Sequence, residues 1–292
     1  MKKHLYGIIV SALFLVGLCV FLYPAVSSYV NEKHASRMIA TYHQALTEYT
    51  EEDFAEIFAK ADAYNKALAE TPSAFYDPEL ITGYQEILDI AGNGIMGYLS
   101  IDKINVEIPV YHGVSDLVLQ IGAGHLEGTS LPVGGKSTHC VLSGHRGLPS
   151  AKLFTDLDKM QIGDRFEITV LDRVLTYEVD QIKIVRPTDT ADLQIRTGMD
   201  ECTLLTCTPY GINTHRMLVR GVRVQGDEKP EKTGGDVFVP NEAFRIHTLI
   251  VAAVAAIPML AFVLILLSVQ DRRARRLARQ NEKDAEEKKT DT

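Results

Sequence analysis

Three residues in the second half of the chain have the types and settings of a nucleophilic active site. Cys207 ends an apolar, strand-like segment, Thr203-Leu204-Leu205-Thr206-Cys207, and turn residues follow it. His145 lies between glycines in Gly144-His145-Arg146-Gly147, where a second strand-like segment ends. A thiol is largely protonated at neutral pH, and a nearby histidine is the usual means of activating it. We therefore predict a thiol nucleophile with histidine as its proton-transfer partner.

Arg216 is the third candidate. It follows Cys207 by nine residues and begins the strand-like segment Met217-Leu218-Val219. A turn between them can return the arginine to the cysteine, and a planar, permanently charged donor suits a developing oxyanion. Each residue alone also has a structural interpretation, since free cysteines are often small core residues and arginines mostly lie on the surface.

Three segments resemble the motifs of the sortase family of cysteine transpeptidases. Thr203-Leu204-Leu205-Thr206-Cys207 matches the TLxTC signature, Ser143-Gly144-His145-Arg146-Gly147 resembles the segment of the catalytic histidine, and Asn213-Thr214-His215-Arg216 resembles that of the catalytic arginine. The order and spacing of these segments agree with those of the sortase motifs, and the similarity runs from about Gly97 to Val224. The resemblance implies catalytic roles for Cys207, His145 and Arg216.

Further features are similar to class C, the pilus-building subgroup, which has a helical extension, a lid loop with Asp-Pro and a C-terminal membrane segment. Asp77-Pro78 matches the lid motif, but Glu79 stands where an aromatic residue is expected. The resemblance implies that the lid covers the active site. We predict that Asp77 pairs with Arg216 in the resting enzyme and that Phe75 or Tyr76 replaces the missing aromatic cover.

The implied reaction is cleavage of the Thr–Gly bond in an LPxTG-type sorting signal, through a thioacyl-enzyme on Cys207. A lysine amine of a pilin subunit then resolves the thioester, so the implied partners are pilin or surface proteins bearing such a signal. Neither a cofactor nor a metal is implied. The alternative within the family is a housekeeping sortase that attaches surface proteins to a peptidoglycan precursor.

The elements that must position these residues are predominantly short strands. Strand-like segments from Tyr98-Leu99-Ser100-Ile101 onward are separated by glycine and aspartate turns. A hairpin is predicted from two of them, Phe166–Val170 and Leu175–Val179. Such a series suggests a closed barrel or sandwich. The resemblance narrows this to an eight-stranded sortase β-barrel with Cys207 and His145 at the ends of neighbouring strands.

A helical extension precedes the strands. Apolar residues from Phe54 to Leu68 follow helical spacing, and Thr50 followed by Asp53 predicts a helix start. We expect the apolar stripe to pack against the domain that follows.

Two apolar runs predict membrane spans. Leu5–Tyr23 follows two lysines, and Leu249–Val269 contains no charge and precedes an arginine-rich segment. Basic flanks remain cytoplasmic, so we predict a two-pass protein in the membrane of a Gram-positive bacterium, with both termini inside and the catalytic domain outside. A cleaved signal peptide is the alternative for the first run.

The predicted organisation is therefore an N-terminal anchor (1–27), a helical extension (28–72), a lid loop and linker (73–96), a catalytic barrel (97–226), a second linker (227–247), a C-terminal transmembrane helix (248–270) and a cytoplasmic tail (271–292).

Other functions fit the sequence less well. A net charge of -8 argues against nucleic-acid binding. A sortase substrate would carry LPxTG before Leu249, and no such pentapeptide occurs there. A two-pass sensor with an extracellular binding domain would not need Cys207, His145 and Arg216 in this order. A cysteine transpeptidase acting on peptidoglycan crosslinks would need a substrate assay to be distinguished.

The remaining cysteines and histidines are interpreted as structural. Cys140 and Cys202 form no CxxC or zinc-like pattern, and we expect two reduced core thiols, although neighbouring strands in register would allow a disulfide. His139 is expected to be structural, and His215 is expected to point away from the face of Arg216.

Overall fold

The computed structural model describes residues 2–224, together with Ser268, Arg272, Arg273, Arg275, Arg276 and Arg279. The predicted linker 227–247 lies outside the described residues, as do nearly all of 248–270 and 271–292. Two compact units divide the chain: Met1–Val26 with Asn241–Thr292, and Ser27–Pro240. The second unit contains the candidate site.

Helix α1 (Lys2–Leu46) contains the first apolar run. Among the described residues, it is the one helix long and apolar enough to cross a membrane, with a mean hydropathy of 2.0 over its most apolar window. Its length and composition fit membrane anchoring.

Helix α2 (Glu51–Glu70) begins at the predicted signal. The Thr50 side chain accepts from the Asp53 backbone N–H at 3.2 Å, and the Asp53 carboxylate accepts from the Thr50 backbone N–H at 2.8 Å. This reciprocal cap satisfies two backbone donors at the helix start. The apolar stripe of α2 packs into the barrel core, as expected, through Phe58, Ala61, Tyr64 and Leu68.

The predicted eight-stranded barrel is confirmed. The strands are β1 (Ile95–Ile101), β2 (Val106–His112), β3 (Ala123–His125), β4 (Thr138–Ser143), β5 (Arg165–Val170), β6 (Arg173–Val185), β7 (Asp200–Thr208) and β8 (His215–Arg223), and helix α3 (Asp116–Ile121) lies between β2 and β3. They close in the order β1-β2-β3-β4-β7-β8-β6-β5. The predicted hairpin is β5–β6, with Ile168 opposite Leu175.

Alternation along the strands gives β4, β7 and β8 an inner and an outer face. Leu142, Leu204 and Val219 lie in the main core. Val141 and Leu218 belong to a separate apolar cluster against which Leu205 packs. Because side chains alternate, Cys207 shares the outer face with Leu205, and Arg216 shares it with Leu218.

Cys140 and Cys202 are register partners on the parallel pair β4–β7. Both are buried free thiols, in agreement with the expected reduced state. Burial raises the pKa of the Cys202 thiol, which keeps it protonated.

The helical extension is hydrogen-bonded to the barrel at widely separated points. Asn65 of α2 exchanges two hydrogen bonds with the Leu131 backbone, at 2.7 and 3.2 Å. Tyr42 of α1 donates to the Met96 carbonyl and accepts from the Leu171 N–H. These buried bonds attach the extension to the barrel and fix the point from which the segment after α2 departs.

Candidate active site

Cys207 and Arg216 lie opposite each other on the antiparallel pair β7–β8. Directly opposed residues of such a pair have Cβ atoms about 4.5–5.5 Å apart on one face. Cys207 is half-buried, so its thiol lies at the surface of the barrel rather than in its core. The pairing places a permanent positive charge beside this thiol.

His145 reaches the same level from the other side of β7. Strand β4 runs parallel to β7 with Ser143 opposite Leu205, and the Gly144 N–H continues the ladder by donating to the Leu205 carbonyl at 3.0 Å. The residue following Gly144 therefore approaches the level of Cys207. A side chain at Gly144 would meet the Phe154 ring at 2.6 Å, so this close approach requires glycine.

The guanidinium of Arg216 is oriented by the turn that precedes β8. Its Nη1 donates to the carbonyls of Asn213 and His215, each at 3.2 Å. Asn213 has a φ of 61°, a left-handed conformation that asparagine tolerates. The structure gives the other guanidinium N–H groups no hydrogen bond to a described residue, which leaves them available for an oxyanion. His215, adjacent in the strand, points to the opposite side by alternation, as expected.

Arg146 is a residue that sequence reasoning missed. Its side chain is 9% exposed and bonds the Asp158 carboxylate at 2.5 Å, the Thr155 carbonyl at 3.3 Å and the Thr208 hydroxyl at 3.3 Å. Arg146 follows His145 and Thr208 follows Cys207, so this guanidinium connects the loop of His145 to the end of β7. The sequence showed only an arginine between a histidine and a glycine in a turn. That pattern did not indicate its contact with Thr208, which is distant in sequence.

His139 is structural, as predicted. Its Nδ1 lies 3.0 Å from the Gln194 carbonyl and therefore donates, while its Nε2 lies 2.7 Å from the Thr203 hydroxyl and accepts. Burial lowers the pKa of this imidazole, so it is neutral near pH 7. With both nitrogens engaged, His139 does not compete with His145 for the thiol.

An apolar strip lies along the outer face below Cys207. We call it the outer groove; its floor is Val141, Leu205 and Leu218, and Leu193 and Val185 form its side. Leu193 belongs to the connection between β6 and β7. This connection is held by an ion pair between Arg196 and the fully buried Glu201. Val141, Leu193 and Leu218 are at most 4% exposed, so the groove is filled by the residues that pack over it.

The segment after α2 packs over this groove through Phe75, one of the two residues predicted to replace the aromatic cover, but without the predicted Asp77–Arg216 pair. Phe75 packs against the groove cluster, and the Tyr76 hydroxyl lies 3.4 Å from that of Thr190. Asp77 is exposed, and no ion pair among the described residues joins it to Arg216, whose Nη1 donates to the Asn213 and His215 carbonyls. The predicted pair is thus not formed here, because Pro78 begins a short 3-10 helix with Asp77 at its cap, and Phe75 makes the contact with the groove.

The strand register brings Cys207, Arg216 and the loop of His145 to one end of the barrel face, and the fold that carries them has relatives among known proteins. A sortase-domain model matches residues 99–224. Sortase C1 of Streptococcus agalactiae is 49% identical, with a TM-score of 0.60, over 65% of this chain and all of that structure. The chain belongs to the sortase family, whose members are cysteine transpeptidases.

Other proteins to which the chain is similar are also sortases. Streptococcus pneumoniae sortase C, whose structure is described in terms of catalysis and pilin substrate specificity, is 43% identical with a TM-score of 0.56, over 66% of this chain and 98% of that structure. Sortase D of Bacillus subtilis is 31% identical over 131 residues, which is 44% of this chain. The chain spans 63% of the length of that protein.

We expect the Phe75→Ala substitution to accelerate alkylation of Cys207, because it removes the ring that packs on the groove. Loss of one or two kcal/mol of packing would change a closed-to-open ratio by about 5–30-fold. Deletion of 75–79 should have at least this effect. Since Asp77 makes no ion pair with Arg216, Asp77→Ala should have little effect. The measurement is the iodoacetamide labelling rate in a Cys19→Ala background, because Cys19 is an exposed thiol that would also be labelled.

Leu80→Ala is the matched control, since Leu80 is a 53% exposed apolar residue a few positions beyond Phe75. Equal labelling rates for the wild type, Phe75→Ala and the deletion would show that this segment does not gate the thiol. Faster labelling in Asp77→Ala alone would restore the predicted ion pair.

Proposed function

We propose that the protein is a class C sortase, which cleaves the Thr–Gly bond of an LPxTG-type sorting signal and joins the threonine to a lysine amine of a pilin subunit. The observation that carries this proposal is the convergence of Cys207, His145 and Arg216 at the end of the outer groove. Adjacent strands β4, β7 and β8 bring them together.

In the proposed first half-reaction, the Cys207 thiolate attacks the threonine carbonyl carbon. The carbonyl oxygen gains negative charge beside Arg216, whose N–H groups stabilise it. The C–N bond then breaks, His145 gives its proton to the departing glycine nitrogen, and a thioester remains. Permanent charge suits Arg216 to this role, since it needs no proton transfer.

In the proposed second half-reaction, a neutral lysine amine attacks the thioester carbonyl. Its proton passes to His145, the tetrahedral intermediate is again held by Arg216, and the C–S bond breaks to release Cys207. The product is an isopeptide bond between threonine and lysine. No cofactor takes part in either half-reaction.

The class C assignment is supported by the helical extension, the segment over the groove and the relatives named sortase C. Pilin specificity is stated for the Streptococcus pneumoniae protein, and we extend it to this chain. We further propose a two-pass protein with both termini in the cytoplasm of a Gram-positive cell and the barrel outside. Membrane location suits substrates that are displayed on the cell surface.

The test is intact-mass spectrometry of the detergent-solubilised chain with LPxTG peptides. We expect a mass increase equal to the acyl part, located on Cys207 and removed by hydroxylamine, and its transfer to a pilin lysine. Transfer to a peptidoglycan-precursor amine in preference to lysine would favour the housekeeping alternative. Absence of an adduct with all sorting peptides would reject the proposed function.

A further inference from the structure

A cavity of about 700 Å³ lies at the opposite end of the outer groove from Cys207. It is bounded by the C-terminal half of α2, the segment after it, the β3–β4 connection and the β6–β7 connection. Its walls include Asp62, Asn65, Lys66, Glu70, Lys136 and Thr197. The catalytic residues do not take part in it.

The cavity adjoins the groove. Phe75 and Leu193 line the cavity and also belong to the groove cluster. Thr129, a third wall residue, accepts a hydrogen bond from the Val141 N–H of the groove floor at 3.3 Å. A chain lying in the groove therefore meets this cavity as it runs away from Cys207, once the Phe75 side chain moves aside.

The geometry of acyl transfer fixes which part of the substrate runs that way. At the tetrahedral carbon on Cys207, the oxygen lies toward Arg216 on β8 and the leaving nitrogen lies toward His145 after β4. The remaining substituent is the acyl chain, which extends along β7. On the side of Leu205 it finds the apolar groove, whereas the other direction leads into the exposed turn at Tyr210.

The distances match this arrangement. At about 3.3 Å per residue, four extended acyl residues span about 13 Å, which is the separation along β4 between His145 and Val141. Thr138, in the cavity wall, lies three residues beyond Val141, which adds about 10 Å along the strand. The four residues before the scissile bond thus fill the groove, and the residues from about the fifth to the eighth face the cavity.

The cavity lining differs from that of the groove. Two carboxylates, Asp62 and Glu70, and two amines, Lys66 and Lys136, lie in its wall. The amide nitrogen of Gln194, also in the wall, is buried and has no hydrogen-bond partner among the described residues. A peptide carbonyl is an acceptor that would satisfy this donor.

The walls are also fixed in place. Asn65 is bonded to the Leu131 backbone on one side, and the Gly135 N–H donates to Asp200 at 2.8 Å on another. The Arg196–Glu201 ion pair holds the β6–β7 connection. A preformed site costs less ordering on binding than a mobile one.

We propose that this cavity binds the polar polypeptide segment immediately upstream of the sorting signal, so that the enzyme reads more of its substrate than the signal itself. This inference rests on the proposed function, and it adds a second binding site with a different chemistry. The substrate chain occupies both sites at once, which raises the effective concentration of the signal at Cys207.

The test compares two peptides with the full-length protein: one that begins at the leucine of the signal, and one with four polar residues added before it. We expect the longer peptide to have about a tenfold lower KM with little change in kcat. Thr197→Trp should fill the cavity and abolish this advantage, while kcat/KM for the short peptide stays the same. Thr197 is exposed and outside the catalytic site.

Ile162→Trp is the control, since Ile162 is 63% exposed and lies outside the cavity wall. Equal kcat/KM for the two wild-type peptides would overturn the proposed cavity site, and so would an equal loss for both peptides in Thr197→Trp. Either result would leave the proposed function intact, because the short peptide would still acylate Cys207. Failure of both peptides to acylate would instead reject the proposed function, and the cavity proposal with it.

Discussion

The Cys207→Ala substitution should abolish both peptide cleavage and acyl-enzyme formation. In the proposed mechanism the Cys207 sulfur forms the covalent bond to the substrate, and loss of a nucleophile in another hydrolase costs on the order of 10⁶ in kcat. Because Cys207 is half-buried at the surface of the barrel, its replacement should leave the core unchanged. The measurement is intact mass after incubation with a sorting peptide, together with initial cleavage rates.

Two cysteines of the same chain serve as matched controls. Cys140→Ala and Cys202→Ala each remove a buried thiol from the barrel interior, and both variants should retain most activity. An acyl-enzyme that still forms in Cys207→Ala would show that the nucleophile is another residue. Loss of activity in a control variant with unchanged melting would point to the core thiols.

Replacing Arg216 with lysine should lower kcat/KM by about 10²–10³-fold, the usual cost of losing one oxyanion donor. Lysine keeps the charge but lacks the planar group that bonds the Asn213 and His215 carbonyls while presenting further N–H groups. The effect should fall on kcat more than on KM, because the interaction forms in the transition state. Peptide cleavage rates at varied concentration give both values.

Arg165→Lys is the control for this substitution. Arg165 lies on β5 in an exposed ion pair with Glu178, so the same exchange should change neither activity nor stability measurably. Near-normal turnover in Arg216→Lys would exclude the oxyanion role.

The sequence predicted those features that depend on short segments. The Thr50–Asp53 cap, the β5–β6 hairpin and the strand-end settings of Cys207 and His145 are all contained within a few neighbouring residues. Local spacing is sufficient there, because capping and strand alternation act between residues close in the chain. The barrel itself followed from the family resemblance.

What the sequence did not reveal depends on partners far apart in the chain. Arg146 bonds Thr208 across 62 positions, and nothing near either residue signals that contact. The Asp77–Arg216 pair was predicted from a motif, whereas in the structure Phe75 of the same segment packs on residues far away in the chain, Val141, Leu193 and Leu218. The cavity is formed by three separate stretches of the chain, so no single stretch of sequence indicates it.

Closure of the barrel limits how a substrate peptide can bind. Within the described part of the chain, each of the eight strands is paired on both sides. An extended peptide often binds a sheet by adding a strand to a free edge, where main-chain hydrogen bonds give affinity without regard to side chains. Strands β4, β7 and β8 offer no such edge. Selection among substrate peptides therefore depends on how their side chains fit the outer face. The activity of this enzyme should change strongly when single substrate residues are replaced, and an extended backbone alone should contribute little to binding.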